Sequence, residues 1–220
     1  MNKEQGGGGT TQNVMYGVGG ILFLGVVIWL WHWATFAQPF FGMAPKMVSV
    51  IGLGYMPVDP QPVYIWLGRL MGLFFAPDLG LRILALLGGV IGSASVIYMI
   101  HRLTKDVAQT FLGGGLLVLF PVLMRQAVVQ EVGAILFGVL SLGLAVLISG
   151  QARRHLISGI LFGVAVGIHP IALLTLLGFF VLLRKEDGDA LKMWGLGAGV
   201  VIGLGWLWLF FLFRSSGVAG

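Results

Sequence analysis

Residues 132–149 read VGAILFGVLSLGLAVLIS, a run without a charged side chain that follows the polar stretch RQAVVQE at 125–131. A helix that spans a membrane needs about 20 predominantly apolar residues. Runs of this kind occupy most of the chain from Val14 to Phe213, so the sequence predicts an all-α membrane protein. Charges are costly at membrane depth. The stretch 125–131 is therefore expected at the interface or against a protein-lined cavity.

The composition argues against a water-soluble fold. Hydrophobic residues make up 58% of the 220 residues and charged residues 10%, with a mean hydropathy of +0.98, whereas a soluble domain carries about 25% charged residues. We therefore expect the lipid bilayer to be the main environment and binding partner of the chain. The net charge of +5 does not indicate a nucleic-acid partner, because the basic residues fall between apolar runs and not on one face. Without cysteine, the chain has no disulfide, thiolate metal site or cysteine nucleophile.

Seven apolar segments predict a bundle of about seven transmembrane helices. They are Val14–Phe36, Arg82–Ile100, Val107–Met124, Val132–Ser149, Leu156–Ile168, Ile171–Leu183 and Leu191–Phe213. The fifth and sixth are short and meet at Gly167-Ile168-His169-Pro170, so they form either a hairpin or one kinked helix. In domain terms, we expect a flexible cytoplasmic tail over 1–13, a single transmembrane domain over 14–213 and a short tail over 214–220.

The basic residues between the segments predict the orientation. With a hairpin at His169, one side of the membrane receives Lys3, Arg102, Lys105, Arg153, Arg154, Arg184, Lys185 and Lys192. Basic loops stay in the cytoplasm, which predicts a cytoplasmic N-terminus in a bacterial-type inner or plasma membrane. A single kinked helix would separate Arg153 and Arg154 from Arg184 and Lys185, so the charge pattern favours the hairpin.

The longest loop, 37–81, is then extracytoplasmic. Within it, Val63–Phe75 is apolar but interrupted by Arg69, which predicts a helix lying in the membrane interface.

Glycines at four-residue spacing predict close helix packing, because small residues let helix backbones approach each other in lipid. One ladder consists of Gly159, Gly163 and Gly167, and a second consists of Gly195, Gly199 and Gly203.

Three stretches, in order, resemble the type-C glycosyltransferase fold, specifically the bacterial relatives of the protein O-mannosyltransferases. Residues 53–69, LGYMPVDPQPVYIWLGR, are similar to that family's "LG-P-PPGYPLY-LLGR" stretch. Residues 126–132, QAVVQEV, are similar to "QAVVAEVYAL", and residues 163–169, GVAVGIH, to "G-ALGHH". The resemblance implies the N-terminal half of a membrane-embedded transferase that uses a polyprenyl-phosphate sugar, with a basic residue near the lipid phosphate at the last of these stretches.

The chain departs from the family at the position of its catalytic acids. The family carries an acidic pair, "GDSGE", shortly before the first stretch, whereas residues 40–46 here read FFGMAPK, with no acid. Sugar transfer to a hydroxyl needs a carboxylate that accepts the proton. Asp59 is the candidate for a relocated catalytic base, and otherwise no catalytic residue is assigned.

Four further residues are candidates for ligand contact, each with a structural alternative. Glu131 and Arg125 would contact a divalent metal or a lipid phosphate, or else pair as a helix-start acid and an interfacial base. His169 would contact the same phosphate, or satisfy backbone groups at the helix break. His32 lies among tryptophans of an aromatic belt, which is the preferred interpretation over a pigment or haem ligand. No metal site is predicted with a defined ligand set.

Two functional classes follow from the sequence. The first is a non-catalytic structural or accessory subunit of a larger membrane complex, whose partners are other membrane proteins. The second is a polyprenyl-phosphate-sugar glycosyltransferase, using Asp59 as base with Glu131, Arg125 and His169 around the phosphate. A transporter ranks third, because the predicted segments carry almost no ionisable residue at mid-depth.

Overall fold

A computed structural model describes residues 18–22, 25–26, 28–29, 61–120 and 132–215, apart from the side chains of 209, 210 and 212–215. Helices account for 87% of the described residues, and none of these residues lies in a strand, which confirms the all-α class. The elements are α1 Pro62–Gly72, α2 Pro77–Thr104, α3 Val107–Val118, α4 Val132–Ile148, α5 Arg154–Ile168, a 3-10 helix Pro170–Thr175, α6 Leu176–Leu183 and α7 Gly188–Ser215.

Two of these helices are long and apolar enough to cross a membrane, namely Pro77–Thr104 and Gly188–Trp208 within α7. The other apolar helices, Val107–Val118, Val132–Ile148, Arg154–Ile168 and Pro170–Leu183, are shorter.

Local signals in the sequence set the helix ends. Pro77 begins α2, with Asp78 in its first turn, where a carboxylate interacts favourably with the helix dipole. At the other end, Lys105 adopts a left-handed conformation with φ of 56° and donates its N–H to His101 O. The Asp106 carboxylate then accepts a hydrogen bond from Gln109 N at 3.1 Å and caps α3. The turn between α2 and α3 therefore takes only two residues.

The helices α2 and α4 run in parallel and touch through glycine. A β-carbon on Gly88 would lie 2.5 Å from Ile135 N, and one on Gly138 would lie 2.9 Å from Gly88 Cα. At the end of the pair, Arg102 Nη2 donates to Ser149 O at 3.5 Å. Glycine at positions 88 and 138, without a β-carbon, lets the two backbones approach this closely.

A second parallel pair, α5 and α7, is built in the same way. A β-carbon on Gly159 would collide with the Trp194 backbone, including Trp194 C at 2.8 Å, and one on Gly163 would lie 2.8 Å from Ala198 O. On the α7 side of the same contact, a β-carbon on Gly197 would lie 2.6 Å from Leu156 O. The antiparallel neighbours α4 and α5 join the two pairs into one bundle.

The α7 glycines differ from the predicted ladder. A β-carbon on Gly195, Gly199 or Gly203 would meet no atom within 4 Å, and all three are exposed in the described part of the chain. Burial of the large Trp194 ring turns a different face of α7 towards α5, with Gly197 on it. Within this chain, the second ladder therefore makes no packing contact with the described residues.

The helix predicted at Val63–Phe75 is α1, Pro62–Gly72, and it buries one face in the bundle. Tyr64 and Ile65 are each 1% exposed, and Val63 lies against Gly167 of α5. Its other residues, such as Trp66, remain exposed. Thus α1 closes the end of the bundle at which α5 and α7 finish, in addition to any role at an interface.

Candidate functional site

The residues proposed for chemistry fall into two groups. Asp59, Arg125, Glu131 and His32 lie outside the described residues. His169 lies inside them, at the junction between α5 and the 3-10 helix.

His169 is held by hydrogen bonds to the backbone on both sides of the junction. Its own N–H donates to Ala165 O at 2.9 Å, and its Nδ1 accepts from Ile171 N at 3.1 Å. The extended backbone of His169, with φ of −157° and ψ of 131°, suits a residue that precedes proline. Because Nδ1 accepts, the neutral ring carries its proton on Nε2, which leaves one N–H for a ligand. The geometry establishes capping as the role of Nδ1.

A small apolar cleft opens beside this junction. Its volume is about 150 Å³, and it is lined by Pro62, Val166, Gly167, Pro170, Leu173, Val201, Ile202, Gly205 and Trp206. An apolar cavity of about this size takes a ring or a short length of hydrocarbon and not ordered water. The cleft therefore suits part of an apolar ligand, such as a segment of a lipid chain.

One buried polar group at this end was not anticipated from the sequence. Gln61 is 1% exposed, and its Oε1 has no hydrogen-bond partner among the residues that the structure describes. It immediately precedes Pro62, whose ring lines the cleft. A buried amide oxygen without a partner is unusual, and the polar character of Gln gave no sign that it would be buried here.

At the opposite end of the bundle, an ion pair joins the start of α5 to the turn between α6 and α7. Arg154 Nη2 donates to both carboxylate oxygens of Glu186, at 3.0 and 2.8 Å, and His155 Nε2 lies 3.7 Å from Glu186. On α7, Lys192 pairs with Asp189 at 2.9 Å. Spacing in the sequence alone does not reveal that residues 154 and 186 meet.

The contact between Arg154 and Glu186 also decides between the two interpretations of the His169 break. It brings the start of α5 to the end of α6, which a single kinked helix would hold apart. The segments form a hairpin, as the basic residues predicted.

Catalytic and metal-binding groups are sparse in the part of the chain that the structure describes. No group of three or more His, Asp or Glu side chains is placed to hold a metal ion among those residues. Of the residues proposed from the sequence for ligand contact, His169 is the one that the structure describes, and the apolar cleft lies next to its junction.

Comparison with known proteins adds no assignment, since no family model, curated protein or solved structure matches the chain.

Proposed function

We propose that this chain is a multi-pass membrane protein of about seven spans that serves as a non-catalytic subunit of a larger membrane complex. The observation that carries the proposal is the exposed surface of α7. Gly195, Gly199 and Gly203 line one side of a helix of membrane-spanning length, and Leu196 and Val200 beside them are 57% and 51% exposed.

Exposed apolar side chains support the membrane location. Leu112 and Leu116 of α3 are 67% and 66% exposed, and Leu174 and Leu177 near α6 are 76% and 75% exposed. A water-soluble protein rarely leaves apolar patches of this extent open to water. In lipid, the same side chains have no such penalty.

The glycine surface of α7 supports a partner protein over lipid alone. Elsewhere in the chain, glycines at this spacing form the closest helix contacts, as Gly88 does with Ile135 and Gly159 with Trp194. Small residues gain little from contact with lipid chains, whereas they allow dense packing against a second helix. A transmembrane helix of another subunit is the matching partner.

The resemblance to the type-C glycosyltransferase bundle supplies an origin for such a subunit. Loss of the family's acidic pair before residue 53 would remove the proton acceptor and leave a helical scaffold. On this proposal, Glu131 acts at a helix start and not in chemistry.

A second candidate function, transfer from a polyprenyl-phosphate sugar, is favoured by one observation. The apolar cleft is lined by Gly167 and Pro170, which lie on either side of His169 in the sequence, so an isoprenoid segment in the cleft would have its phosphate near this junction. In that enzyme, Asp59 would be the base, and Arg125 and Glu131 would hold the phosphate or a divalent metal.

Purification in mild detergent tests the first proposal. We expect other membrane proteins in fixed ratio with the parent chain and with Gly7→Leu. Gly199→Leu should lose those partners yet keep the parent's unfolding temperature, whereas Gly163→Leu should fail to fold because its β-carbon meets α7. Retention of all partners by Gly199→Leu would contradict the proposed surface.

A transfer assay with lipid-linked sugars separates the two functions. Turnover by the parent that vanishes in both Glu131→Gln and Asp59→Asn, with folding intact, would establish the enzyme and refute the non-catalytic subunit.

A further inference from the structure

We propose that the end of α6 is a binding site for an anionic phospholipid from the surrounding leaflet. The site combines an apolar strip, defined by Leu174, Leu177, Phe180 and Val181, with a basic trio, defined by Arg153, Arg184 and Lys185. The inference rests on the membrane location proposed above and is independent of the subunit or enzyme role.

The apolar strip leads along α6 to the basic trio. Leu177 and Phe180 are 75% and 50% exposed, and Arg184 follows them by seven and four residues. Residues at these spacings share one helix face. The backbone N–H of Arg184 donates to Phe180 O at 2.9 Å, so the helical hydrogen-bond pattern of α6 extends to Arg184. The strip is thus an exposed apolar surface that ends in positive charge.

The basic trio differs from its neighbours in having no carboxylate partner in the described part of the chain. Arg154 is occupied by Glu186 and Lys192 by Asp189. In contrast, Arg153, Arg184 and Lys185 are exposed and make no ion pair with any described residue.

The surrounding charges leave this turn positive. Five cations (Arg153, Arg154, Arg184, Lys185 and Lys192) stand against three carboxylates (Glu186, Asp187 and Asp189), a net charge of +2. Because Arg154 neutralises Glu186, that carboxylate offers little competition to a phosphate. A zwitterionic headgroup would bring its own ammonium group into this positive field, whereas an anionic headgroup would not. Charge complementarity therefore selects an anionic lipid.

The length of the hairpin arm places the trio within reach of the phosphates. The 3-10 helix and α6 contain 6 and 8 residues, which span about 24 Å together, less than the hydrocarbon core of about 30 Å. Long basic side chains at the end of a short apolar helix extend towards the headgroups. The acyl chains of one lipid would pack along the apolar strip while its phosphate pairs with the basic trio.

Lipid-dependent thermal stability of the purified full chain tests the site. The unfolding midpoint is followed while phosphatidylglycerol, or phosphatidylcholine as the zwitterionic control, is titrated into the detergent solution. The parent should be stabilised by phosphatidylglycerol at much lower concentrations than by phosphatidylcholine. In Arg184→Gln/Lys185→Gln, the phosphatidylglycerol concentration for half-maximal stabilisation should rise about 25-fold, since each cation contributes about fivefold.

The matched control is Arg102→Gln/Lys105→Gln, which removes the same charge from the last turn of α2 and the residue that follows it, at the same end of the bundle. It should change the half-maximal concentration by less than about twofold, because neither cation belongs to the apolar strip or to the basic trio. Equal losses in both double variants would indicate a diffuse charge effect and overturn the site, as would an equal response of the parent to both lipids. If the chain does not fractionate with membranes at all, the proposed membrane function is wrong. If the chain inserts correctly but shows no preference for phosphatidylglycerol, only the proposed lipid site is wrong.

Discussion

At the residue scale, the surroundings of each glycine determine its role, and spacing alone does not. Gly159 and Gly195 both belong to four-residue ladders in the sequence. A β-carbon on Gly159 would collide with the Trp194 backbone, while one on Gly195 would meet nothing within 4 Å. The same residue type is therefore required at one position and replaceable at the other as far as this chain's own fold is concerned.

The first prediction compares Gly159→Ala with Gly195→Ala. The methyl group at 159 forces α5 away from α7, and we expect a loss of about 1–3 kcal/mol in the free energy of unfolding. At 195 the methyl group points into open space, and better helix propensity should contribute about 0.5–1 kcal/mol of stability. Chemical unfolding in a mild detergent, followed by circular dichroism, measures both. Equal stability of the two variants would contradict the described α5–α7 contact.

At the element scale, the hairpin of α5 and α6 is fastened at both of its ends and along its length. His169 caps the 3-10 helix at the turn, and Arg154 holds Glu186 at the open end. Between them, the Phe162 ring contacts Phe179, with centroids 5.2 Å apart, and Trp194, with centroids 4.9 Å apart. These contacts compensate for elements that are too short to be stable alone.

The second prediction separates capping from ligand binding at His169. Loss of the Nδ1 acceptor in His169→Ala should cost about 1 kcal/mol of stability, whereas His169→Asn retains a side-chain acceptor and should lie within about 0.5 kcal/mol of the parent. Thermal unfolding in detergent provides the comparison. An Asn variant as unstable as the Ala variant would mean that the ring matters through contacts other than its cap. Loss of sugar transfer in a stable Asn variant would support the enzyme.

At the scale of the whole molecule, the described charges are distributed unequally between the two ends. Contacts of Arg102 with Ser149 and of Arg154 with Glu186 bring the loops after α2, α4 and α6 to one end. That end carries seven basic residues, Arg102, Lys105, Arg153, Arg154, Arg184, Lys185 and Lys192, against Arg69, Arg82 and Arg214 towards the other. This asymmetry predicts that the seven-base end is cytoplasmic.

The third prediction tests that orientation with single cysteines in a chain that has none of its own. Ala76→Cys and Gln151→Cys are both exposed positions, before α2 and before α5 respectively. In intact cells, a membrane-impermeant thiol reagent should label position 76 and leave 151 unlabelled until the cells are opened. Labelling of position 151 alone in intact cells would reverse the topology.

The sequence by itself determined the helical class and the starts of α3 and α4 at Val107 and Val132, and it favoured the hairpin over a single kinked helix. These depend on local chemistry, namely the length of the apolar runs, the break before Pro170 and the separation of basic residues by apolar segments. The predicted helix start at Arg82 was wrong, because α2 begins at Pro77, within the loop predicted over 37–81. Only the tertiary structure decided that Gly197, and not Gly195, faces α5, that Gln61 is buried and that Glu186 binds Arg154. The physical reason is that helical spacing identifies a face without identifying its partner. The partner follows from how bulky side chains such as Trp194 fill the space between helices, and that depends on the whole packed bundle.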